Sequence, residues 1–309
     1  TGGDARHRDI GNAGCGRVDL LWVTARRFGE DLPQRTQLEV ARALVARGWS
    51  VTFVAPDSDI AASVVEKVGA GFIGVNRSRT GGFGWMTFGR SLKRTLPATL
   101  AAGDFDVVLV GWQGVAGSRK ALRASATPWL LVDRGPPVFS NILGRLQRWE
   151  YKRAWGLTAS SSGCVVKSKA LADWARANTN CPEPMTLMPA GVDLERFEMG
   201  EAGVSLTIIY HGRLDSERNV SLLVDIGDEL VALGNELKMH LIGAGNAWDS
   251  LAKSAHDRDW LMLSAAVSPE EIPANLAAAD VGLFPLPDSP QWRVASALKI
   301  REWAACGLP

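Results

Sequence analysis

Two arginines, Arg213 and Arg218, are the first groups in this chain whose type and spacing suggest chemistry. They follow an apolar run in Tyr210-His211-Gly212-Arg213-Leu214-Asp215-Ser216-Glu217-Arg218. A guanidinium presents a planar fork of donors that matches phosphate oxygens, so two of them past a strand end can hold an anion such as a diphosphate. The same side chains could instead sit on a solvated loop, paired with Asp215 or Glu217. The last segment, Ser296-Ala297-Leu298-Lys299-Ile300-Arg301-Glu302, adds a second feature. Ser296 is expected to cap a helix whose first amides can face an anion, with Glu302 nearly two turns further on.

Such groups need a scaffold that brings strand ends and helix starts to one edge. Val18 to Val23 is an apolar run of strand length, followed by a loop and by a helical pattern with Leu38, Ala41 and Val45 on one face and Gly48 as its stop. Val51 to Val54 is the next strand, which completes a βαβ unit. Near-continuous apolar strands of this kind imply a parallel sheet covered on both faces. The alternation continues through Asp106 to Val110, Pro128 to Val132 and Gly163 to Val166. Pro182, Pro184 and Pro189, with Gly191 and Gly200, mark a break expected to hold neither helix nor strand. The pattern restarts with strands at Ser205 to Tyr210, Lys238 to Ile242, Trp260 to Leu263 and Asp280 to Phe284. The expectation is α/β, two Rossmann-like doubly wound domains over 18–198 and 199–309, preceded by a disordered tail over 1–17. A further strand is expected past Pro309, so the second domain reads as incomplete.

Composition narrows the possibilities. With 309 residues, 46% hydrophobic and 22% charged, the chain is large enough for two packed domains. A formal net charge of +1 gives no global reason to expect nucleic acid as a partner. Cys15, Cys164, Cys181 and Cys306 lack metal-ligand spacing and read as reduced thiols. No apolar run reaches the roughly 18 to 20 residues of a membrane span, and the expected location is the cytoplasm.

In order and spacing, the segments 44–51, 189–197, 212–214, 241–245, 276–285 and 298–309 resemble the retaining glycosyltransferases of family 4, which share the glycosyltransferase-B fold. The resemblance runs over 18–309 and is closer in the second half than in the first. It implies a nucleoside-diphosphate sugar as co-substrate, no other cofactor and no metal, with two domains facing across a cleft. Carried onto matching positions, it makes Arg213 the phosphate-binding arginine, with Arg218 standing where a lysine is usual. Glu302 matches the carboxylate that holds the ribose hydroxyls, and Gly29 matches a glycine that lets the backbone approach the donor diphosphate. Gly243 and Val267 fall in the nucleotide pocket. Val294 stands where the family has the first of two glutamates eight positions apart. Some members carry a lysine shortly before the second glutamate instead. Lys299 fits that variant, as a phosphate or sugar contact, or else is a surface residue.

On the acceptor side the family often uses a histidine, which the first domain lacks, since the histidines are His7, His211, His240 and His256. Gln113, Asp133 and Arg134, at strand ends, are the acceptor candidates, and otherwise cap loops. The acceptor itself is an unidentified carbohydrate, lipid-linked or small molecule. In the family's retaining reaction the leaving phosphate takes the acceptor's proton, so no catalytic residue is assigned. A binding module that keeps the nucleotide pocket but has lost transfer is the alternative.

Other signals carry less. Asp57-Ser58-Asp59 and Asp257-Arg258-Asp259 fit surface loops rather than a metal site, and Trp248 stands where the third glycine of a dinucleotide fingerprint belongs. The segment Gly144 to Trp155 reads as a helix with Arg145, Arg148 and Lys152 on one face, either an ordinary solvated face or a peripheral contact at the inner face of an anionic membrane. Asn76 to Arg94, rich in glycine and arginine, reads as a mobile loop open to an acceptor.

Overall fold

The structure, a computed structural model, describes residues 17–30, 34–79, 84–137, 142–200 and 205–309. The expected N-terminal tail lies outside the described residues, apart from Arg17. The elements run β1 (Asp19–Val23), α1 (Arg35–Ala46), β2 (Ser50–Pro56), α2 (Ala61–Glu66), β3 (Gly71–Val75), α3 (Gly84–Ala102), β4 (Val107–Gly111), α4 (Trp112–Ala124), β5 (Trp129–Asp133), α5 (Ile142–Gly156), β6 (Cys164–Val166), α6 (Lys169–Asn178) and β7 (Met185–Leu187). They continue through β8 (Leu206–Arg213), α7 (Ser221–Ala232), β9 (Leu237–Ala244), α8 (Trp248–His256), β10 (Leu261–Ala265), α9 (Ile272–Ala277), β11 (Val281–Gly282), α10 (Pro290–Arg293) and α11 (Leu298–Ala305).

The first sheet has the order β3-β2-β1-β4-β5-β6-β7 and the second β10-β9-β8-β11. In the first, β1 pairs in parallel with both β2 and β4, so the strand order reverses direction at that point. Ligands of open α/β sheets bind beyond the strand ends at such a reversal. In the second, β8 pairs in parallel with β9 on one side and β11 on the other. By compactness the chain separates into one unit of 1–133, 149–165 and 178–186 and another of 134–148, 166–177 and 187–309.

Strands that are apolar along their length form where expected, because both faces are covered: Leu20, Leu21, Trp22 and Val23 are all buried. Two strands were not expected. β3 carries Gly71 and Gly74, which lack side chains to declare a strand, and it forms at the sheet edge through Phe72, Ile73 and Val75. β7 lies inside the stretch expected to hold no strand. At the opposite edge a proline leaves no ladder partner unsatisfied, so the three residues Met185–Leu187 can pair between Pro184 and Pro189.

The segment expected as a mobile loop over Asn76 to Arg94 is largely helix. From Gly84 it is the start of α3, a 19-residue helix that buries Phe88, Leu92 and Leu96 at helical spacing. Residues 80–83 lie outside the described residues. Gly89 serves close packing rather than mobility, since α3 crosses α4 where a Cβ on Gly117 would stand 2.8 Å from the Cα and carbonyl oxygen of Gly89. Both atoms are backbone and cannot rotate away.

Gly117→Ala is therefore expected to destabilise the chain. Alanine gains about 1 kcal/mol of helix propensity over glycine, but overpacking costs about 1–3 kcal/mol, for a net loss of about 1 kcal/mol. A lower urea midpoint for Gly117→Ala, with none for Gly156→Ala, where a Cβ meets nothing within 4 Å, would check this.

Candidate functional site

The carboxyl end of β8 is held in place by its own backbone before any side chain acts. Gly212, at φ +118°, adopts a conformation that side chains rarely take while still paired with Gly243 of β9. The chain then lies on the end of β9: Leu214 N–H donates to the Ala244 carbonyl at 3.0 Å, and Ala247 N–H to the Leu214 carbonyl at 3.0 Å. Gly243 permits this approach, because a Cβ there would stand 1.8 Å from the Gly212 carbonyl oxygen. Its position thus follows from backbone packing beside the expected nucleotide pocket. Val267 is partly buried against the cluster of Ile209, Ile242, Ile272, Leu276 and Trp303.

On this platform Asp215 organises the two arginines. Arg213 donates to it twice, through Nε at 2.9 Å and a terminal nitrogen at 2.8 Å. Arg218 lies 3.8 Å from the same carboxylate and stacks over the Trp292 ring at 4.8 Å. The expected pairing with Asp215 is thus present, and it aims the cations rather than removing them. The Arg213 side chain remains 48% exposed, and its hydrogen bonds to Asp215 raise its pKa further, so it stays charged.

Helix α11 supplies the rest. Lys299 is buried, its ammonium sits 3.5 Å from the centroid of the Tyr210 ring and 5.4 Å from that of Phe284, and its Nζ has no hydrogen-bond partner among the described residues. Burial pushes its pKa well below the ordinary lysine value; positive Arg218 acts in the same direction and Glu302 opposes it. Tyr210, under the ammonium, is itself pushed up to about 12, chiefly by burial, and its hydroxyl donates to the Arg213 carbonyl at 2.8 Å. Lys299 is therefore not a surface residue. The side chain reaches inward across Gly212, where a Cβ would stand 3.4 Å from Nζ.

Glu302 is buried beside it and meets His211 Nε2 at 2.8 Å. Trp303 Nε1 donates to His211 Nδ1 at 3.3 Å. Indole is only a donor, so Nδ1 must be the acceptor and Nε2 carries the proton donated to the Glu302 carboxylate. Sequence reasoning missed His211 as a partner of this carboxylate; its place three residues into the Ile208-Ile209-Tyr210-His211 run, one before the turn glycine, was the available signal. The expected cap also fails. Helix α11 has Ala297 at its N-cap with no side-chain bond, while the Ser296 hydroxyl accepts from Ala190 N–H at 3.1 Å. Among the described residues no side chain caps α11, and Arg213, Arg218 and Lys299 gather at the carboxyl end of β8.

The remaining expected residues fall in the first unit or at its boundary. Gly29, at φ +85°, has its N–H taken by the Gln34 side chain. Gln113, an acceptor candidate, lines a cavity of about 220 Å³ together with Trp85, Arg90, Lys93, Glu150 and Arg153. Asp133 does not suit that role. It is fully buried and braces the interior, accepting from the Tyr151 hydroxyl and, at 2.9 Å, from Trp155 Nε1. Arg134 is half-buried. Asp257-Arg258-Asp259 lies at the surface, where Arg258 grips Asp228 at 2.7 Å through two nitrogens.

Two doubly wound sheets of parallel strands, the second carrying cations at the end of its central strand, define the glycosyltransferase-B class of fold. Solved structures agree. Sucrose-phosphate synthase from Thermosynechococcus elongatus is similar at 14% identity, over 95% of this chain and 80% of that one, with a TM-score of 0.75. A glycosyltransferase from Rickettsia africae (13% identity, 95% and 78% covered) and the Anabaena protein HepE, solved with UDP and glucose (12%, 95% and 80%), each superpose with a TM-score of 0.71. No curated protein matches in sequence. The model of Glycosyltransferase Family 4 matches residues 34–196, more than half of the chain, and the chain belongs to that family, whose activity is glycosyl transfer. The match lies in the half of the chain where the sequence motifs are fewest.

The unpartnered ammonium has a measurable consequence. A lysine whose folded pKa is depressed weakens the fold at neutral pH, because the unfolded chain takes up the proton more readily, and the penalty vanishes above about pH 10.4, where both states are neutral. Lys299→Met should raise stability at pH 7 by on the order of 1 kcal/mol. Urea denaturation at pH 7 and near pH 10.5 should show that gain shrinking at the higher pH.

Proposed function

We propose that the chain transfers a sugar from a nucleoside-diphosphate donor to an acceptor, with retention of configuration and without a metal ion. The observation that carries this reading is the buried Lys299 ammonium, which has no hydrogen-bond partner among the described residues and lies beside two arginines and an uncapped helix start. A buried charge without a partner is costly, and a diphosphate is the group that would satisfy it. HepE, similar in fold, was solved with UDP and glucose, which supports a nucleotide-sugar donor here.

In this reading Arg213, Arg218 and Lys299 hold the diphosphate and stabilise the charge that grows on it as the bond to the sugar breaks. Glu302, oriented by His211, accepts from the ribose hydroxyls. The leaving phosphate takes the acceptor's proton, so the chain's own task is to place the two reactants, with Gln113 and its cavity on the acceptor side. The position eight before Glu302 is Val294, whose carbonyl accepts from the Ser168 hydroxyl at 2.9 Å. It offers no carboxylate to the donor sugar.

Isothermal titration with uridine, guanosine and adenosine diphosphates tests the site. One diphosphate should bind, and Arg213→Ala and Glu302→Gln should each weaken it about tenfold, as expected for the loss of a charge-assisted hydrogen bond. Glutamine is preferred to alanine at 302 because it keeps a partner for His211. Binding of a sugar nucleotide with neither transfer nor hydrolysis would instead identify a binding module that has lost catalysis.

A further inference from the structure

Helix α5 is one continuous element whose two faces differ sharply. Its inner face is made of Gly144, Tyr151, Ala154 and Trp155, all buried. Its outer face carries Ile142, Leu143, Leu146 and Trp149, which are 74%, 39%, 49% and 56% exposed. Positions 142, 146 and 149 recur at helical spacing and form a stripe along the middle of the exposed side. Arg145 and Lys152 lie along one edge of the stripe. Arg153 stands within it, over the Trp149 ring at 5.4 Å from its centroid. Glu150 is the helix's one acidic residue, and it is buried.

An exposed apolar stripe in water is unfavourable, and a stripe flanked by cations with no exposed acid suits one kind of partner better than others. A protein partner would need both a greasy groove and a concentration of acid around it. An anionic bilayer supplies an apolar interior and a negative surface together. Arg90 and Lys93, exposed on α3, line the same cavity as Glu150 and Arg153. No helix among the described residues is long and apolar enough to cross a membrane, so the contact is with the surface.

We propose that α5 seats the chain on anionic membranes, with Ile142, Leu146 and Trp149 entering the headgroup–acyl boundary and Arg145 and Lys152 facing the lipid phosphates. The assignment is independent of the donor reading, because it concerns a different surface and needs no nucleotide.

Co-sedimentation of the full chain with vesicles tests it, using phosphatidylcholine alone and an equal mixture of phosphatidylcholine and phosphatidylglycerol. The chain should pellet with the mixed vesicles and remain in solution with the neutral ones. Each basic residue near an anionic surface contributes about fivefold to the partition coefficient, so Arg145→Glu/Lys152→Glu should lower it by at least about 25-fold. Leu146→Ser/Trp149→Ser should lower it by at least tenfold, including at a salt concentration that screens the charges. All four side chains are exposed, so thermal melting should show both variants folded. Equal binding to both vesicle types, no binding by the folded chain, or binding unchanged in both variants would overturn the proposal. So would self-association in sedimentation velocity that disappears in Leu146→Ser/Trp149→Ser, which would give the stripe to a second copy of the chain.

Discussion

Glu302 is a carboxylate removed from water, and its acceptance of the His211 proton at 2.8 Å makes that burial tolerable. A charge taken into the interior costs several kcal/mol unless a well-placed donor compensates it, so the bond dictates much around it. It ties α11 to the end of β8, and Trp303, one residue on, completes the link by donating to the other imidazole nitrogen. The indole then lies flat against β11, where a Cβ on Gly282 would meet it at 2.4 Å. On α11 so fixed, Lys299, one turn earlier on the same helix, lies over Tyr210. Arg213 and Arg218 depend instead on Asp215 and on the backbone contacts between the ends of β8 and β9.

Two of the local penalties among the described residues are opposite in kind. Lys299 is buried with an unused donor, and α5 leaves a stripe of apolar side chains in water. Much of the remainder is locally consistent, with apolar strands buried and a glycine where α3 meets α4, although Trp22 Nε1 and the Ser118 hydroxyl are also buried without a hydrogen-bond partner among the described residues. Violations that persist in an otherwise consistent structure tend to mark function. The two lie on different elements and involve opposite chemistries, an unpaired cation inside and an unpaired apolar face outside.

Much of this was legible in the sequence. Strands such as Val51 to Val54 announce themselves because a parallel sheet buries both faces, so hydrophobicity alone finds them. β3 and β7 hid because edge strands tolerate the glycines and prolines that otherwise punctuate loops. α3 hid for a related reason: glycine chosen for contact with another helix looks the same in sequence as glycine chosen for mobility. Arg213, Arg218 and Lys299 were recognisable because charge is read directly from residue type. Their partners were not, since no spacing shows that His211, some ninety positions away, meets Glu302. Asp133 and Ser296 show the converse, polar residues at element ends whose side chains turn inward to serve Tyr151, Trp155 and Ala190.

Asp215 acts in time as well as in position. Because it already engages Arg213 through two hydrogen bonds, an arriving anion exchanges one partner of the guanidinium for another and gains only the difference. The same carboxylate stands ready to take the arginine back when the anion departs. A site built from free cations would grip a diphosphate and release it slowly, whereas an arginine with a resident partner lowers the barrier to letting go. In the proposed donor site, release of the diphosphate would depend on this internal competitor as well as on the groups that attract the ligand.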